Sequence, residues 1–483
     1  MTDATIETPP LTRADRHWFG LGQFAEGMKN EGFSLLLLFF YTQVTGLSGS
    51  LAGLALLIAL LFDAVTDPLV GVLSDRTKSK LGRRHPWIFA SIIPLVVTYY
   101  FTFNPPAGLG QGGLFAWLLT FVVLTRASMT LFHVPHLSLG AELSAIYEER
   151  TAVVTTRMLH SRIGGAVGTV AAFGYFMAPT EAYPTGQLNP AAYPGYAVFA
   201  VVLMGITLFA SGWFTLRRVP YLVKADEAQT DPHPFRAMYQ GLLDGMRRQS
   251  FRSLFLGNLL SFVAWGTAGA LGIALGTYFW RGDAQDLMIW GIFAGTGVFV
   301  GLGFWQRYAL THDKRTTFMR GLLVFLLFTA PPPVLKLIGF WPEWGTSLYM
   351  PAFWVTVGFL AHFGIAATMV TGGSMMADVI DEDELETGRR REGIYFGTIS
   401  FVAKAAAGVG SLIAGVTLEL SGLTPEMTPA TVPPETEQAL GLALAFVMVF
   451  LVGGSVGLFS KYNLSRERLA DIQTQLNARA AAE

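Results

Sequence analysis

The chain has no cysteine in 483 residues. Disulfides, cysteine-based zinc sites and thiol catalysis are thereby excluded. Charge is scarce as well. Asp, Glu, Lys and Arg make up 14% of the chain, against about 25% in soluble domains. A net charge of -1 leaves no electrostatic footprint for nucleic acid. The first sixteen residues hold no apolar core. No cleavable signal peptide is therefore expected, and the first membrane helix serves as the targeting signal. The predicted outer loops are short and poor in His, Asp and Cys. They offer no catalytic cluster, so neither an enzyme nor a cofactor is expected. A receptor that binds without moving its ligand is the remaining alternative outside transport.

The chain is apolar instead: 52% hydrophobic and 13% aromatic, with 37 Phe, at a mean hydropathy of +0.45. A membrane-crossing helix needs about 20 mostly apolar residues. Twelve such runs are expected, at 19–46, 50–74, 86–104, 113–139, 153–178, 194–215, 251–280, 286–308, 318–340, 347–378, 394–421 and 438–461. The fold class is all-α polytopic membrane protein, surrounded by lipid bilayer. A polar stretch divides the spans six and six. It leaves an N-terminal bundle over 1–216, a central loop over 217–250, a C-terminal bundle over 251–461 and a tail over 462–483.

Lys and Arg set the orientation. The link after span 2 holds Arg76, Lys78, Lys80, Arg83 and Arg84, and the central link holds Arg217, Arg218, Lys224, Arg236, Arg247 and Arg248. Lys314 and Arg315 follow span 8, and Arg389, Arg390 and Arg391 follow span 10. The links at 178–196 and 422–438 carry no positive charge. The even-numbered links and both termini are expected in the cytoplasm. Six plus six helices with an inner central loop resembles the plan of the major facilitator superfamily. The stretch "GVLSDRTKSKLGRR" (71–84) is similar to that superfamily's signature between spans 2 and 3, and 303–321 is a degraded echo of it. Such duplication suits two halves that rock about a central site.

Charge at membrane depth is costly, so each instance is a functional candidate. Glu26, Lys29 and Glu31 lie in span 1, Asp63 and Asp67 in span 2, Arg126 and His133 in span 4, Arg157 and Arg162 in span 5, and Lys404 in span 11. Asp63 and Asp67, at i and i+4, share one helix face with Thr66 beside them. Two bare carboxylates that close repel, and one tends to take a proton. A hard cation removes the conflict, because oxygen ligands suit it. Salt bridges to Arg126 or Arg157 are the structural alternative. Pro68 frees a backbone carbonyl one turn earlier, a further ligand. Glu26 and Lys29 either neutralise each other or contact substrate. His133 and His136 lack a third ligand for a metal and fit a lining or packing role. Lys404 needs a counter-charge and is expected to face a cavity.

Four further stretches carry a closer likeness: "YTQVTGLS" (41–48), "FDAVTDPLVGVLSDRTKSKLGRRHPW" (62–87), "VPHLSLGAELSAIYEERTAVVTTR" (134–157) and "MMADVIDEDELETGRRREGIYFGTISFVAKAAAGVGSLIAG" (375–415). Together, in order, they resemble the glycoside–pentoside–hexuronide:cation symporters over nearly the whole length. The resemblance implies a cation site at Asp63, Asp67 and Thr130, with Thr66 standing where the family has an amide. Either Na⁺, held by Asp63 and Asp67, or H⁺ is then the coupling ion. It also implies substrate contacts at Lys404 and at Arg157, or alternatively Arg162. The family's galactoside carriers place sugar-gripping acids where this chain has Gly27 and His133, and a stacking ring where it has Leu137. Glu26 and Lys29 join the candidate substrate residues, and the basic set His133, Arg157 and Lys404 suits an acidic glycoside or uronide.

The expected function is cation-coupled import of a sugar-like solute by alternating access. The protein is expected to be a monomer in a bacterial inner membrane. Asp75, Arg76, Arg83 and Arg84 are expected to pack near Glu142, Asp378 and Asp381 as a cytoplasmic gate. Symport of a lysophospholipid or other amphiphile, and proton-driven export, are the alternatives.

Overall fold

The computed structural model describes residues 9–144, 146–222 and 234–482. Lys224 and the side chain of Arg236, both assigned to the central loop, lie outside that set. The chain forms two compact units, Met1–Thr230 and Asp231–Glu483. The first holds span 1 (13–44), span 2 (Gly49–Arg76), span 3 (His85–Thr102), span 4 (Gln111–Glu142), span 5 (147–176) and span 6 (Ala192–Tyr221). The second holds span 7 (Gln249–Phe279), span 8 (Ala284–Thr311), span 9 (Lys314–Leu337), span 10 (Tyr349–Thr387), span 11 (Glu392–Leu420) and span 12 (Pro434–Phe459). Among the described residues, nine helices are long and apolar enough to cross a membrane. Spans 1, 3 and 5 fall short. Spans 1 and 5 do so because they carry Glu26, Lys29, Glu31, Arg157 and Arg162.

The two units repeat one packing scheme. Span 1 packs on spans 5 and 6, span 4 on spans 2 and 3, and span 3 on span 6. Span 7 packs likewise on spans 11 and 12, span 10 on spans 8 and 9, and span 9 on span 12. Small residues let the first of these pairs approach closely. A Cβ on Gly27 would lie 1.9 Å from the Ser161 carbonyl oxygen, and one on Gly164 would lie 2.1 Å from that of Phe24. Gly266 against Ala407 and Gly410 against Val263 repeat this contact in the second unit.

The repetition reaches the helix ends. Span 1 closes with a wide turn in which Thr45 N donates to Phe40 O and Leu47 N to Tyr41 O, at 3.0 and 2.8 Å. Span 7 closes identically, with Trp280 N on Leu275 O and Gly282 N on Gly276 O, both at 2.8 Å. The residue between each pair of donors is left-handed, as such caps require. In span 1 it is Gly46, at φ 80°; in span 7 it is Arg281, at φ 55°. The strained arginine is held by Glu437 at 3.0 Å and by the face of Trp344.

The link expected as a loop over 217–250 contains a helix, Pro234–Met246. Glycines four residues apart explain it. Gly241 seats its backbone on Ile394 and Gly245 seats its own on Phe251. The tail beyond residue 461 forms the helix Arg466–Ala482. It is tied down by Arg468 on Glu382 at 3.0 Å and by Arg466 on the carbonyls that end span 8.

The span 1–span 5 crossing generates a stability prediction. Gly27→Val should lower the midpoint of thermal unfolding in detergent, since overpacking a tight contact costs about 1–3 kcal/mol. Gly295→Ala, whose Cβ meets nothing within 4 Å, should leave that midpoint unchanged.

Candidate functional site

Span 2 stays helical through Pro68, which has no N–H to offer the Ala64 carbonyl. Asp63 and Asp67 lie one turn apart on the side that meets span 4, where Arg126 and Thr130 are also one turn apart. Thr130 Oγ1 lies 2.9 Å from Asp63 Oδ1 and 3.0 Å from Asp67 Oδ1. A hydroxyl has one proton to donate. It serves one carboxylate at a time, and the other contact sets oxygen against oxygen. Arg126 Nη1 reaches Asp63 Oδ2 at 3.4 Å. Asp67 also acts electrostatically on Arg126. Thr130 and Asp63 are 2% and 8% exposed, so little water reaches them. Three converging oxygens, two of them from carboxylates, suit a proton or a small monovalent cation. Among the described residues no three His, Cys, Asp or Glu side chains cluster as a metal site.

Thr66 is not part of this group of oxygens by any hydrogen bond. Its hydroxyl turns back along span 2 and donates to the Asp63 carbonyl at 3.2 Å. A threonine in a helix makes that local bond readily, and it leaves the position between the acids without a side-chain ligand.

A second cluster forms around Glu26. Ser161 Oγ donates to its Oε2 at 3.3 Å, Asn30 Nδ2 to its Oε1 at 2.5 Å, and His133 Nδ1 lies 3.9 Å from Oε1. Lys29 also opposes the charge of Glu26, which acts in turn on Arg157. Glu26, Lys29, His133 and Arg157 thus come together. Arg162 does not join them, because it sits toward Glu31 one turn further along spans 1 and 5. Lys404 is half-buried on span 11, in the second unit. Gly27 cannot be replaced by an acid here, since the Ser161 backbone occupies the space a side chain would need.

Three contributors to these clusters escaped the sequence reading. Ser161 is brought in by the close crossing of spans 1 and 5. Asn30 sits four residues after Glu26, a spacing that could have flagged it. Phe33 is the third. Lys29 Nζ lies 6.0 Å from its ring centre and Arg126 Cζ 5.7 Å from it. One buried ring therefore touches a cation from each cluster. His136 is structural: it stacks on Phe19 at 4.1 Å and bonds the Phe19 carbonyl and Gln23 at 2.9 and 3.2 Å.

Residues expected at the gate take part in ion pairs within their own units. Arg84 binds Glu142 through Nη2 at 2.7 Å and Nε at 3.0 Å, Asp75 at 2.5 Å and Ser74 at 2.7 Å. Arg83 reaches Glu142 at 3.4 Å, and Arg76 is exposed. Asp378 and Asp381, expected beside these residues, pair within the second unit. Lys314 holds Asp378 at 2.6 Å, and Arg390 holds Asp381 at 3.3 Å. These pairs follow the internal repeat. Arg84 and Lys314 both stand where the third helix of a unit begins, and Glu142 and Asp378 both lie on the fourth.

A family model described as MFS/sugar transport protein matches residues 18–466. The chain is 25% identical over 479 residues to the putative glycoside/cation symporter YagG of Escherichia coli (strain K12), covering 98% of this chain and 96% of that protein. It is 24% identical over 487 residues to sodium-dependent lysophosphatidylcholine symporter 1 of Gallus gallus, covering 94% and 88%. Among solved structures it matches a mutant of the nucleoside transporter NupG with a TM-score of 0.64 at 13% identity, over 92% of this chain and 99% of that one. Identity that low speaks for the fold alone.

The two arginines that pair with Glu142 should behave differently. The side chains of Arg84 and Glu142 are 4% and 8% exposed. Arg84→Ala strands a buried carboxylate, a change that costs about 3–5 kcal/mol. Arg83→Ala removes one long, partly exposed contact worth about 0–1 kcal/mol. Thermal unfolding of the purified variants should show a large drop for the first and almost none for the second.

Proposed function

We propose, since this chain belongs to the MFS/sugar transport protein family, that it is a symporter coupling one monovalent cation, Na⁺ or H⁺, to the uptake of a sugar-like solute by alternating access. The observation that carries the coupling is the single hydroxyl proton shared by Asp63 and Asp67. A bound cation relieves the repulsion between the two carboxylates. Cation binding ends the oxygen–oxygen conflict at Thr130. Phe33 then links that event to the Glu26 cluster, because Arg126 and Lys29 lean on the same ring. Both termini and the links rich in Lys and Arg face the cytoplasm in this reading.

The solute class follows from charge. Around Glu26 one carboxylate stands against two permanent cations, Lys29 and Arg157, with His133 alongside. Lys404 is a further substrate residue in the second unit. An excess of positive charge, with serine and asparagine as hydrogen-bond donors, suits an acidic glycoside or a uronide. The likeness to the Gallus gallus lysophosphatidylcholine symporter favours an amphiphile as the second reading.

Two measurements test this. Asp67→Asn should abolish cation-stimulated uptake by membrane vesicles while the protein still folds, because an amide can still accept the Thr130 proton. Coupled uptake that survives this substitution would sink the cation site. Vesicles given neutral sugars, uronides or lysophosphatidylcholine should accumulate the uronides best, whether the gradient is Na⁺ or H⁺. Preference for neutral galactosides would overturn the acidic-solute reading, and preference for the lysolipid would select the second one.

A further inference from the structure

Span 8 carries an open groove of about 600 Å³, lined by Val300, Gly303, Phe304, Arg307 and Tyr308. Its side is fixed by span 9, whose Arg320 lays its guanidinium 5.5 Å from the Tyr308 ring centre. Three properties of the groove go together. Its wall is apolar and open: Val300 and Phe304 are 46% and 48% exposed, and a Cβ on Gly303 would meet nothing within 4 Å. Its end is cationic: among the described residues neither Arg307 nor Arg320 is in an ion pair. The neighbouring basic residues differ, with Lys314 on Asp378, Arg315 on the carbonyls of Ser460 and Tyr462, and Arg466 on those ending span 8. At the same end the buried Tyr308 hydroxyl has no hydrogen-bond partner. That ring is held rigid, stacked on His312 at 3.8 Å.

We propose that this groove binds an acidic glycerophospholipid of the bilayer. The acyl chain lies along Val300, Gly303 and Phe304. The phosphate sits at the end of span 8, between Arg307 and Arg320. Arg307 is one turn from the helix end at Thr311, at the depth where arginine reaches the phosphate layer. Two guanidinium groups on one phosphate make charge-assisted bonds. A net negative headgroup is preferred to a zwitterionic one, whose own cation competes with the arginines. A merely basic surface would draw acidic lipids without a groove, and this difference is open to test.

The test is native mass spectrometry of the purified full chain in detergent, with phosphatidylglycerol and phosphatidylcholine of identical acyl chains. The wild type should retain phosphatidylglycerol preferentially. Arg307→Gln with Arg320→Gln should erase that preference, at about fivefold per arginine. Gly303→Trp, at a position where an added Cβ meets nothing within 4 Å, should weaken phosphatidylglycerol retention by filling the groove. Arg252→Gln, an exposed arginine at the start of span 7, should change nothing. Equal retention of both lipids by the wild type would overturn the site. So would preference that persists in the double variant or in Gly303→Trp, or an equal loss in Arg252→Gln. The readout does not involve uptake, so it stands or falls independently of the coupling mechanism.

Discussion

Two carboxylates one turn apart inside a membrane helix repel, and lipid offers no water to screen them. Asp63 and Asp67 meet that difficulty with one hydroxyl, Thr130, and one guanidinium, Arg126. That hydroxyl stands within hydrogen-bonding distance of both carboxylates, so it cannot satisfy the two at once. In the nearby second cluster, Glu26 is opposed by His133 and Lys29. The two clusters touch through Phe33, a neutral ring that attracts cations from either side.

Around these clusters the fold is built by repetition. Each unit crosses its first and fifth helices at glycines, caps its first helix with the same wide turn, and latches its third helix to its fourth with an ion pair. The repetition shows where the chain departs from its own pattern. Arg281 keeps the left-handed turn that Gly46 makes without strain, because its side chain is clamped by Glu437 and Trp344. The paired acids of span 2, by contrast, belong to the first unit.

The helices were legible because length and apolarity are properties of short windows. Spans 1 and 5 were legible despite their charges, since the apolar residues around these still make a run long enough to cross. The linker helix was not legible. Gly241 rests on the distant Ile394 and Gly245 on Phe251 at the start of span 7, whereas a glycine in a sequence window signals a loop. At the site, the spacing of Asp63 and Asp67 was visible, and Thr130 came through resemblance. The orientation of Thr66 was not visible, because its hydroxyl chooses between a local carbonyl and the site only once the helix exists. The pairing of Asp378 with Lys314 and of Asp381 with Arg390 was not visible, because charge alone says nothing of which cation is nearest.

The sequence by itself determined the twelve helices, the division into two similar halves, the distribution of positive charge among the links and the presence of paired acids at membrane depth. These follow from composition and from periodicity along one strand of chain. Only the tertiary structure decided that Arg126 and Thr130 share the acids, that Phe33 joins two clusters, that Arg162 turns to Glu31, and that each unit closes its own latch. Those choices depend on which helix faces cross and how closely. That is set by glycines whose role becomes apparent only when a second backbone lies against them.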